Sequence, residues 1–341
     1  MATVNRQWLL RERPLGMVGP EHFQLVESAM PEPDLAAGEV LLRTLMLGFD
    51  PAMRGWLMDV PSYLPPVAIG EPMRASGVSQ VVRSENPDLP VGTLVQGLSN
   101  WQEYSIGSPN DLVPPVPLPA GTPPNLALSV FGTTSLTAYF GLLDVGQPKS
   151  GETVLVSGAF GATGSVVAQI ARLKGCKVVG IAGGPEKCEW LRSACRIDGV
   201  IDYKQEPLDQ RIGELCPEGV DVFFDNVGGD TLQAAINHMS DFGRLVLCGA
   251  IAGYNDEAPA PGPNNLMLLT TRRLRMEGFI VLDYLDRADE AIAALTDWVM
   301  SGEIAWREDI QEGFDNIPRT LQRLFTGSNE GKQLLKLADP D

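Results

Sequence analysis

The chain has 341 residues, of which 44% are hydrophobic, and it carries a formal net charge of −17 at pH 7. This length suggests about two domains at ~150 residues each, and the acidic charge argues against nucleic acid or anionic membrane partners, which require a basic surface. No run of about 18 apolar residues predicts a membrane span, and Arg6, Arg11, Glu12 and Arg13 interrupt the apolar segment that a secretory signal requires.

The first part of the chain, residues 1–125, is predicted to be rich in β-strands and loops. Pro31 and Pro33 separate the first two of four strand-like stretches. These stretches lie at residues 23–26, 40–45, 76–82 and 93–96. Prolines crowd residues 109–124, where a helix or a central strand is hard to continue. We expect the chain to cross into a second domain in this proline-rich stretch.

From residue 126 the pattern changes to alternating helices and strands. Helical spacing is present at residues 126–143, 186–194, 231–239 and 286–300. Apolar strand-like runs lie at residues 154–156, 177–182, 200–203, 220–224, 244–247 and 279–282. Such alternation implies a parallel sheet with right-handed crossovers. The predicted fold class is therefore α/β, with a Rossmann-type doubly wound sheet beside the β-rich domain, and a strand-like tail at 333–337 is expected to rejoin that domain.

A glycine-rich turn within residues 153–174 follows a short apolar strand and opens a helix. The turn reads AFGATG at residues 159–164, a G-x-G-x-x-G pattern with alanine at its first position. Gly161 would let a pyrophosphate approach the backbone, and Gly164 would let the helix pack closely on the strand. The free N–H groups of that helix would then face the phosphates. A purely structural turn is the alternative, but the strand–turn–helix context favours a dinucleotide site.

The end of the second strand of this domain carries no acidic residue. An NAD site usually places Asp or Glu there to bind the ribose 2′-hydroxyl, but here residues 183–185 read GGP, and Lys187 follows Glu186 in the next helix. A neutral strand end with a nearby cation suits a 2′-phosphate, so we expect NADP(H) as the cofactor. Alternatively, Lys187 is a solvated helix residue with no role in binding. The missing carboxylate at the strand end is therefore the stronger argument for NADP(H).

The cysteines and histidines indicate the compartment and argue against a metal. The five cysteines are odd in number and contain no C-x-x-C pair, which indicates reduced thiols in a cytoplasmic protein. They are Cys176, Cys188, Cys195, Cys216 and Cys248. Only His22 and His238 are present, so a zinc site of nitrogen and sulfur ligands has almost nothing to be built from. We therefore expect no metal.

Several short segments are together far more specific than the glycine turn. They are DPAMRG (50–55), WQEY (101–104), LTAYFGLL (136–143), FDNVGG (224–229), CGAI (248–251), YN (254–255), GFIV (278–281) and NEGK (329–332). Over nearly the whole chain they resemble zinc-free medium-chain dehydrogenases/reductases, the group of curcumin reductases, prostaglandin reductases and plant double-bond reductases. The resemblance implies a GroES-like catalytic domain (1–125 and 311–341), a Rossmann domain (126–310) and a homodimer.

The resemblance also implies roles for individual residues. Lys187 and Tyr203 match contacts to the 2′-phosphate, and Asn329 matches a ribose-binding asparagine. Tyr254 matches the tyrosine assigned to substrate binding and proton donation, where it would also contact the cofactor, and Tyr63 is expected to help line the substrate pocket. The remaining positions match residues around the dinucleotide. They are Gly161, Ala162, Thr163, Gly164, Gly183, Asn226, Cys248, Gly249, Ala250, Phe279, Ile280 and Val281.

Two positions depart from the family pattern. Ala52 stands where relatives often carry a tyrosine, which removes a possible aromatic wall or hydroxyl from the pocket and affects substrate scope more than reaction type. Phe160 stands in the glycine turn where a small residue is usual. Its ring either crowds the pyrophosphate or points into the core, and the sequence leaves both possibilities open.

Such proteins typically reduce the C=C bond of α,β-unsaturated ketones and aldehydes with NADPH, so the expected substrate is a small enone or enal. Hydride transfer to the β-carbon leaves negative charge on the carbonyl oxygen, and preorganised hydrogen-bond donors stabilise such charge. Without zinc ligands, the Tyr254 hydroxyl and a cofactor ribose hydroxyl are the best candidate donors. The alternative for Tyr254 is a loop tyrosine without a role. A zinc-free quinone oxidoreductase and a non-catalytic NADPH-binding protein remain the alternative functions.

Overall fold

The computed structural model describes residues 4–30, 34–258 and 261–341. Pro31 and Pro33, which we expected to separate two strands, lie outside these ranges. The strands are β1 (Val4–Leu10), β2 (Phe23–Ala29), β3 (Val40–Phe49), β4 (Ser76–Ser84), β5 (Leu94–Leu98), β6 (Tyr104–Gly107), β7 (Val116–Pro117), β8 (Thr153–Val156), β9 (Lys177–Ala182), β10 (Gly199–Asp202), β11 (Val220–Asp225), β12 (Met239–Leu247), β13 (Arg275–Gly278), β14 (Glu308–Glu312) and β15 (Lys332–Lys336). The α-helices are α1 (Pro124–Leu128), α2 (Thr133–Phe140), α3 (Ala162–Leu173), α4 (Pro185–Ser193), α5 (Leu208–Leu215), α6 (Gly229–Asn237), α7 (Met267–Thr271), α8 (Ala288–Met300) and α9 (Ile317–Thr326).

The chain divides into two compact units. Unit 1 comprises Met1–Ser129 and Glu308–Asp341, and unit 2 comprises Val130–Arg307; we expected the second domain to span residues 126–310. The proline-rich stretch at 109–124 lies inside unit 1, where β7 pairs with β5. The chain therefore leaves unit 1 after this stretch, because the two-residue strand β7 ties the prolines to the sheet of unit 1.

Unit 1 is rich in β-strands. Its main sheet has the order β14-β15-β3-β4-β5-β7, with β6 paired to β3, and β1 forms a separate antiparallel pair with β2. The C-terminal strand β15 is antiparallel to β3, so the tail completes a sheet that begins near the N-terminus. The core contains the fully buried Trp101, whose ring centroid lies 4.7 Å from that of Phe23 and 6.0 Å from that of Phe49.

Unit 2 contains a six-stranded sheet in the order β10-β9-β8-β11-β12-β13. All of its pairings are parallel, because each strand returns through a helical connection to the same end of the sheet. The four residues of β8 are all buried, as expected for a central strand covered on both faces. The predicted fold class, a Rossmann-type parallel sheet beside a β-rich domain, is confirmed. The strand order reverses between β8 and β11, which is where open α/β sheets bind their ligands.

One predicted helix is interrupted. Where a single helix was expected at residues 126–143, α1 ends at Leu128 and α2 begins at Thr133. Gly132 caps α2 with an extended backbone (φ −89°, ψ −178°), and this conformation cannot continue a helix. After α2 the chain forms a π-helical turn over Gly141–Gly146.

The sixth strand was predicted at the wrong residues. We expected it at 279–282, but β13 is Arg275–Gly278, and Val281–Arg287 is a 3₁₀-helix. The partner strand sets the position, because Leu247 at the end of β12 lies opposite Gly278. The apolar segment that follows therefore lies beyond the carboxyl ends of the strands.

Candidate functional site

The carboxyl ends of the unit 2 strands carry most of the residues predicted to bind the cofactor. The glycine turn follows β8, Gly183 follows β9, Tyr203 follows β10, and Asn226 follows β11. Residues 248–250 follow β12, and residues 279–281 follow β13. Because the sheet is parallel, these segments share one edge. The structure thus brings together residues that are spread over more than a hundred positions of the sequence.

The glycine turn lets helix α3 pack closely on the end of β8. A Cβ at Gly164 would lie 2.3 Å from Gly158 O and 2.9 Å from Ala159 Cα, so only glycine allows α3 to pack this tightly on the end of β8. Gly161 caps the helix with an extended backbone. Among the described residues, no acceptor bonds the backbone N–H groups of Ala162, Thr163 or Gly164. These donors and the positive end of the helix dipole favour an anion.

Phe160 packs inside unit 2. Its side chain is 6% exposed, and its ring meets the Trp190 ring edge-on with centroids 5.4 Å apart. Lys187 Nζ lies 5.1 Å from the centre of the Phe160 ring, and Arg307 Cζ lies 5.9 Å from it. Of the two possibilities left by the sequence, the ring therefore occupies the core. It also places two cations beside the glycine turn through cation–π contacts.

The loop after β9 is fixed to the loop after β10. Asp202 Oδ1 accepts hydrogen bonds from the backbone N–H groups of Gly184, at 2.9 Å, and Lys204, at 3.1 Å. Asp202 is buried, so the acidic residue at the end of β10 holds these two loops together. Above them Tyr203 is 55% exposed. Residues 183–185, directly after β9, include no acid, and the side chains of Tyr203 and Lys204 lie over Gly183.

Asp225 organises the ends of the two central strands. Its carboxylate accepts bonds from Ser157 Oγ at 2.7 Å and from the backbone N–H groups of Val227 and Gly228 at 3.0 and 3.1 Å. Burial raises the pKa of the Asp225 carboxyl against the opposing effect of these hydrogen bonds. Asn226 donates from Nδ2 to Ser157 O over 2.7 Å. This network fixes the orientation of Asn226 at the strand-order reversal.

Tyr254 lies over the loop that follows β12. Its hydroxyl oxygen accepts a hydrogen bond from the Ala250 N–H at 3.2 Å, and a Cβ at Gly249 would lie 3.1 Å from that oxygen. Gly249 therefore leaves space for the hydroxyl. Burial, with a further contribution from the Asp225 carboxylate, raises the pKa of Cys248 to about 12. Cys248 is consequently a neutral thiol at physiological pH, and it does not provide a thiolate nucleophile.

The segment after β13 depends on a second glycine. A Cβ at Gly141 would lie 2.3 Å from Phe279 Cζ, so the Phe279 ring requires glycine in the π-helical turn. The same ring lies 6.3 Å from the rings of Phe224 and Tyr284, centroid to centroid. Ile280 and Val281 follow it, and both are partly buried. This packing holds residues 279–281 at the carboxyl edge of the sheet.

Unit 1 carries the other predicted residues. Tyr63 accepts a hydrogen bond at its hydroxyl from Trp56 Nε1 over 2.9 Å and is 45% exposed. Burial is the main cause that raises the pKa of Tyr63, so its phenol is protonated at neutral pH. Asn329 Nδ2 donates to Gly331 O over 3.0 Å. Ala52 lies in the 3₁₀-helix Pro51–Leu57.

In the described residues, no three side chains among His, Cys, Asp and Glu are grouped so that they could hold a metal ion. Four of the five cysteines are buried, and burial raises the pKa of Cys176 and Cys216 to about 11 and that of Cys195 to about 12. Within the described part of the chain, every helix is too short or too polar to cross a membrane.

Three residues near the predicted site were missed by the sequence analysis. Lys204 follows Tyr203 directly, and its place at the end of a predicted strand was the available signal. Asp225 precedes Asn226 within a segment that had been recognised, but its role became visible only through the hydrogen bonds it accepts. Arg307 left no signal, because its contact with Phe160 joins residues far apart in the sequence.

Two family models match the chain. Residues 6–114 match the N-terminal domain of oxidoreductase, and residues 162–299 match zinc-binding dehydrogenase. The NADPH-dependent curcumin reductase of Escherichia coli is 41% identical over 342 residues, covering 99% of this chain and 98% of that protein. Prostaglandin reductase 1 of Bos taurus is 40% identical over 335 residues, covering 97% and 98%. The crystal structure of CurA from Vibrio vulnificus in complex with NADPH has a TM-score of 0.92 and 38% identity, covering 98% of this chain and 100% of that one.

Proposed function

Because this chain belongs to the medium-chain dehydrogenase/reductase family, we propose that it uses NADPH to reduce the C=C bond of α,β-unsaturated ketones and aldehydes. The observation that carries the proposal is the likeness to curcumin and prostaglandin reductases over 99% and 97% of the chain. The edge of the unit 2 sheet offers donors for phosphates in the glycine turn and lacks a carboxylate at the end of β9. The donors of the glycine turn suit the pyrophosphate of either cofactor, whereas the missing carboxylate suits NADPH better than NADH.

Tyr254 is the proposed catalytic residue. When bound, NADPH supplies a hydride to the electron-poor β-carbon of the substrate, and negative charge then develops on the substrate carbonyl oxygen. A tyrosine hydroxyl is a neutral donor that stabilises such an oxygen and can pass on a proton. The Tyr254 hydroxyl lies at the carboxyl end of β12, where its oxygen accepts a hydrogen bond from the Ala250 N–H. We propose that, with substrate bound, this hydroxyl donates its hydrogen to the enolate oxygen.

Binding of the cofactor is assigned to residues at the ends of the unit 2 strands. The N–H groups of Ala162, Thr163 and Gly164 are proposed to hold the pyrophosphate, with Lys187 and Tyr203 beside the 2′-phosphate. Asn226, fixed by the Ser157–Asp225 network, is proposed to face the ribose and nicotinamide. Residues 248–250 and 279–281 are proposed to line the rest of the nicotinamide pocket. In unit 1, Asn329 is proposed as a ribose ligand and Tyr63 as a substrate contact.

The reaction is proposed to proceed without zinc. The chain has only two histidines, and its described residues contain no cluster of metal-ligating side chains. In this proposal the Tyr254 hydroxyl takes the place of a Lewis acid at the carbonyl oxygen.

The quaternary state and the location are part of the same proposal. Strand β13 is an edge of the unit 2 sheet, and Arg275, Glu277 and Gly278 on it are exposed. An edge of this kind presents backbone groups that a second chain can pair, so we propose a homodimer, which light scattering coupled to size-exclusion chromatography tests. Five free cysteines suit a reducing compartment, and we propose the cytoplasm, which cell fractionation tests.

A substrate screen tests the reaction. NADPH oxidation is followed with enones, enals and quinones, with NADH run in parallel. The proposal predicts turnover of enones and enals with NADPH and formation of the saturated carbonyl product. Faster turnover of quinones would favour a quinone oxidoreductase. Tight NADPH binding with no turnover of any substrate would indicate a non-catalytic binding protein.

A further inference from the structure

Two side chains cover the end of β9, where Gly183 leaves the sheet. A Cβ at Gly183 would lie 2.7 Å from Tyr203 Cε1 and 2.9 Å from Lys204 Cε. Gly183 does not have a positive φ, so the space that these two side chains occupy is the reason for glycine here. Gly183 stands where an NAD enzyme usually carries its ribose-binding acid. Here the Tyr203 ring and the Lys204 side chain lie over this position instead.

The backbone beneath these side chains is held in place. Asp202 Oδ1 accepts hydrogen bonds from the N–H groups of Gly184 and Lys204, so this carboxylate joins the loop that carries Lys204 to the loop after β9. Asp202 is buried, and its Oδ1 is directed at the backbone. These hydrogen bonds to Asp202 therefore position the backbone of Lys204 beside the end of β9.

The two lysines near this edge occupy different places. Lys187 Nζ lies 5.1 Å from the centre of the Phe160 ring, over the glycine turn. Lys204 covers Gly183 and is exposed to solvent. The Lys204 ammonium therefore lies where it can bind an anion at the end of β9.

We propose that Lys204 is a further specificity-determining residue, which binds the 2′-phosphate of NADPH. In this fold the ribose 2′ position lies beside the end of the second strand of the sheet unit, and that end is Gly183 here. The inference rests on the proposed function, because it assumes that NADPH occupies this edge. It adds a residue that the family resemblance did not assign, on a loop different from that of Lys187.

The test compares ligands that differ only in the 2′-phosphate. Calorimetry measures the affinity of the full-length protein for NADPH, NADH, 2′,5′-ADP and 5′-AMP, in the native form and in Lys204→Ala, Lys204→Arg and Lys177→Ala variants. Lys177 is the matched control, since it begins β9 at the opposite end of the strand and its Nζ donates to Leu215 O over 2.7 Å. Lys204 is exposed, so its truncation is expected to leave the melting temperature unchanged.

The expected result is selective. Lys204→Ala weakens NADPH and 2′,5′-ADP by about 10- to 100-fold, the range for a lost hydrogen bond to a charged group, and leaves NADH and 5′-AMP unchanged. Lys204→Arg retains most of the affinity, and Lys177→Ala binds all four ligands as the native protein does. Native-like NADPH binding by Lys204→Ala would overturn the inference, and so would equal weakening of NADPH and NADH. Equal affinity of the native protein for NADPH and NADH would instead contradict the proposed function and, with it, the role of Lys204.

Discussion

The Tyr254 hydroxyl accepts the backbone N–H of Ala250, 3.2 Å away, at the carboxyl end of β12. This contact holds a neutral proton donor beside the segment predicted to face the nicotinamide. A hydroxyl held at this position can donate a hydrogen bond to charge that appears only in the transition state, and such an interaction accelerates the reaction.

Replacing this hydroxyl is the first test. Tyr254→Phe keeps the ring, so folding and cofactor affinity are expected to be unchanged. The loss of one donor to developing charge typically slows a reaction by about 10²–10³-fold, and we expect the lower end of this range or less, because a cofactor ribose hydroxyl shares the task. Steady-state kinetics should show the loss in kcat. A Tyr254→Phe protein with native kcat and KM would rule out the catalytic role.

A second prediction concerns Lys187. Lys187→Ala is expected to weaken NADPH by roughly 1.5–3 kcal/mol through the loss of a charge-assisted contact, and to leave NADH affinity nearly unchanged. Fluorescence titration with both cofactors measures this difference. Lys187→Arg keeps the charge and the contact with the Phe160 ring, so it serves as the conservative control. Equal weakening of both cofactors would mean that Lys187 has no selective contact with the 2′-phosphate.

A third prediction concerns metal. The described residues contain no cluster of suitable ligands, so prolonged treatment with a strong chelator should leave enone reduction at its original rate. Elemental analysis of the treated and untreated protein is the accompanying measurement. Stoichiometric zinc whose removal abolishes turnover would contradict the account of the carbonyl-oxygen site.

A fourth prediction concerns the thiols. Alkylation requires the thiolate, and a thiol with a pKa of about 12, such as that of Cys248 or Cys195, is about 10⁻⁴ ionised at pH 8. Iodoacetamide should therefore leave both residues unlabelled in the folded protein and should not inhibit it, whereas urea-unfolded protein should be labelled at all five cysteines. Labelling rates at Cys248 should rise with pH, because the thiolate fraction rises. Rapid labelling of Cys248 at pH 8 with loss of activity would contradict the assignment.

The sequence predicts the central strands well and the edges poorly. The predicted strand at 177–182 coincides with β9, because its residues 178–182 are buried and a strand buried on both faces is apolar along its buried length. Strand β13 contains Arg275 and Glu277, and its position is set by pairing with β12, which no local pattern encodes. The expected apolar strand at 279–282 instead supplies Phe279 to the packing around Gly141.

In the candidate site too, the sequence predicts some features and misses others. Glycines with a packing role, such as Gly164, could be recognised from the spacing of the turn. Lys204 follows a predicted strand directly, but its place over Gly183 became visible only in the structure. The buried position of the Phe160 ring also depends on its contacts with Trp190, Lys187 and Arg307. The contacts of Gly183 and of Phe160 join segments far apart in the sequence, and no local pattern encodes them.

The central claim is that hydride moves to the β-carbon of an enone, and isotope transfer tests it most directly. The protein is supplied with a simple enone and with NADPH carrying deuterium at both C4 positions, and the product is examined by deuterium NMR and mass spectrometry. The account predicts a saturated ketone with one deuterium on the β-carbon and an intact carbonyl group. An allylic alcohol with deuterium on the former carbonyl carbon, or a saturated product without deuterium, would contradict it.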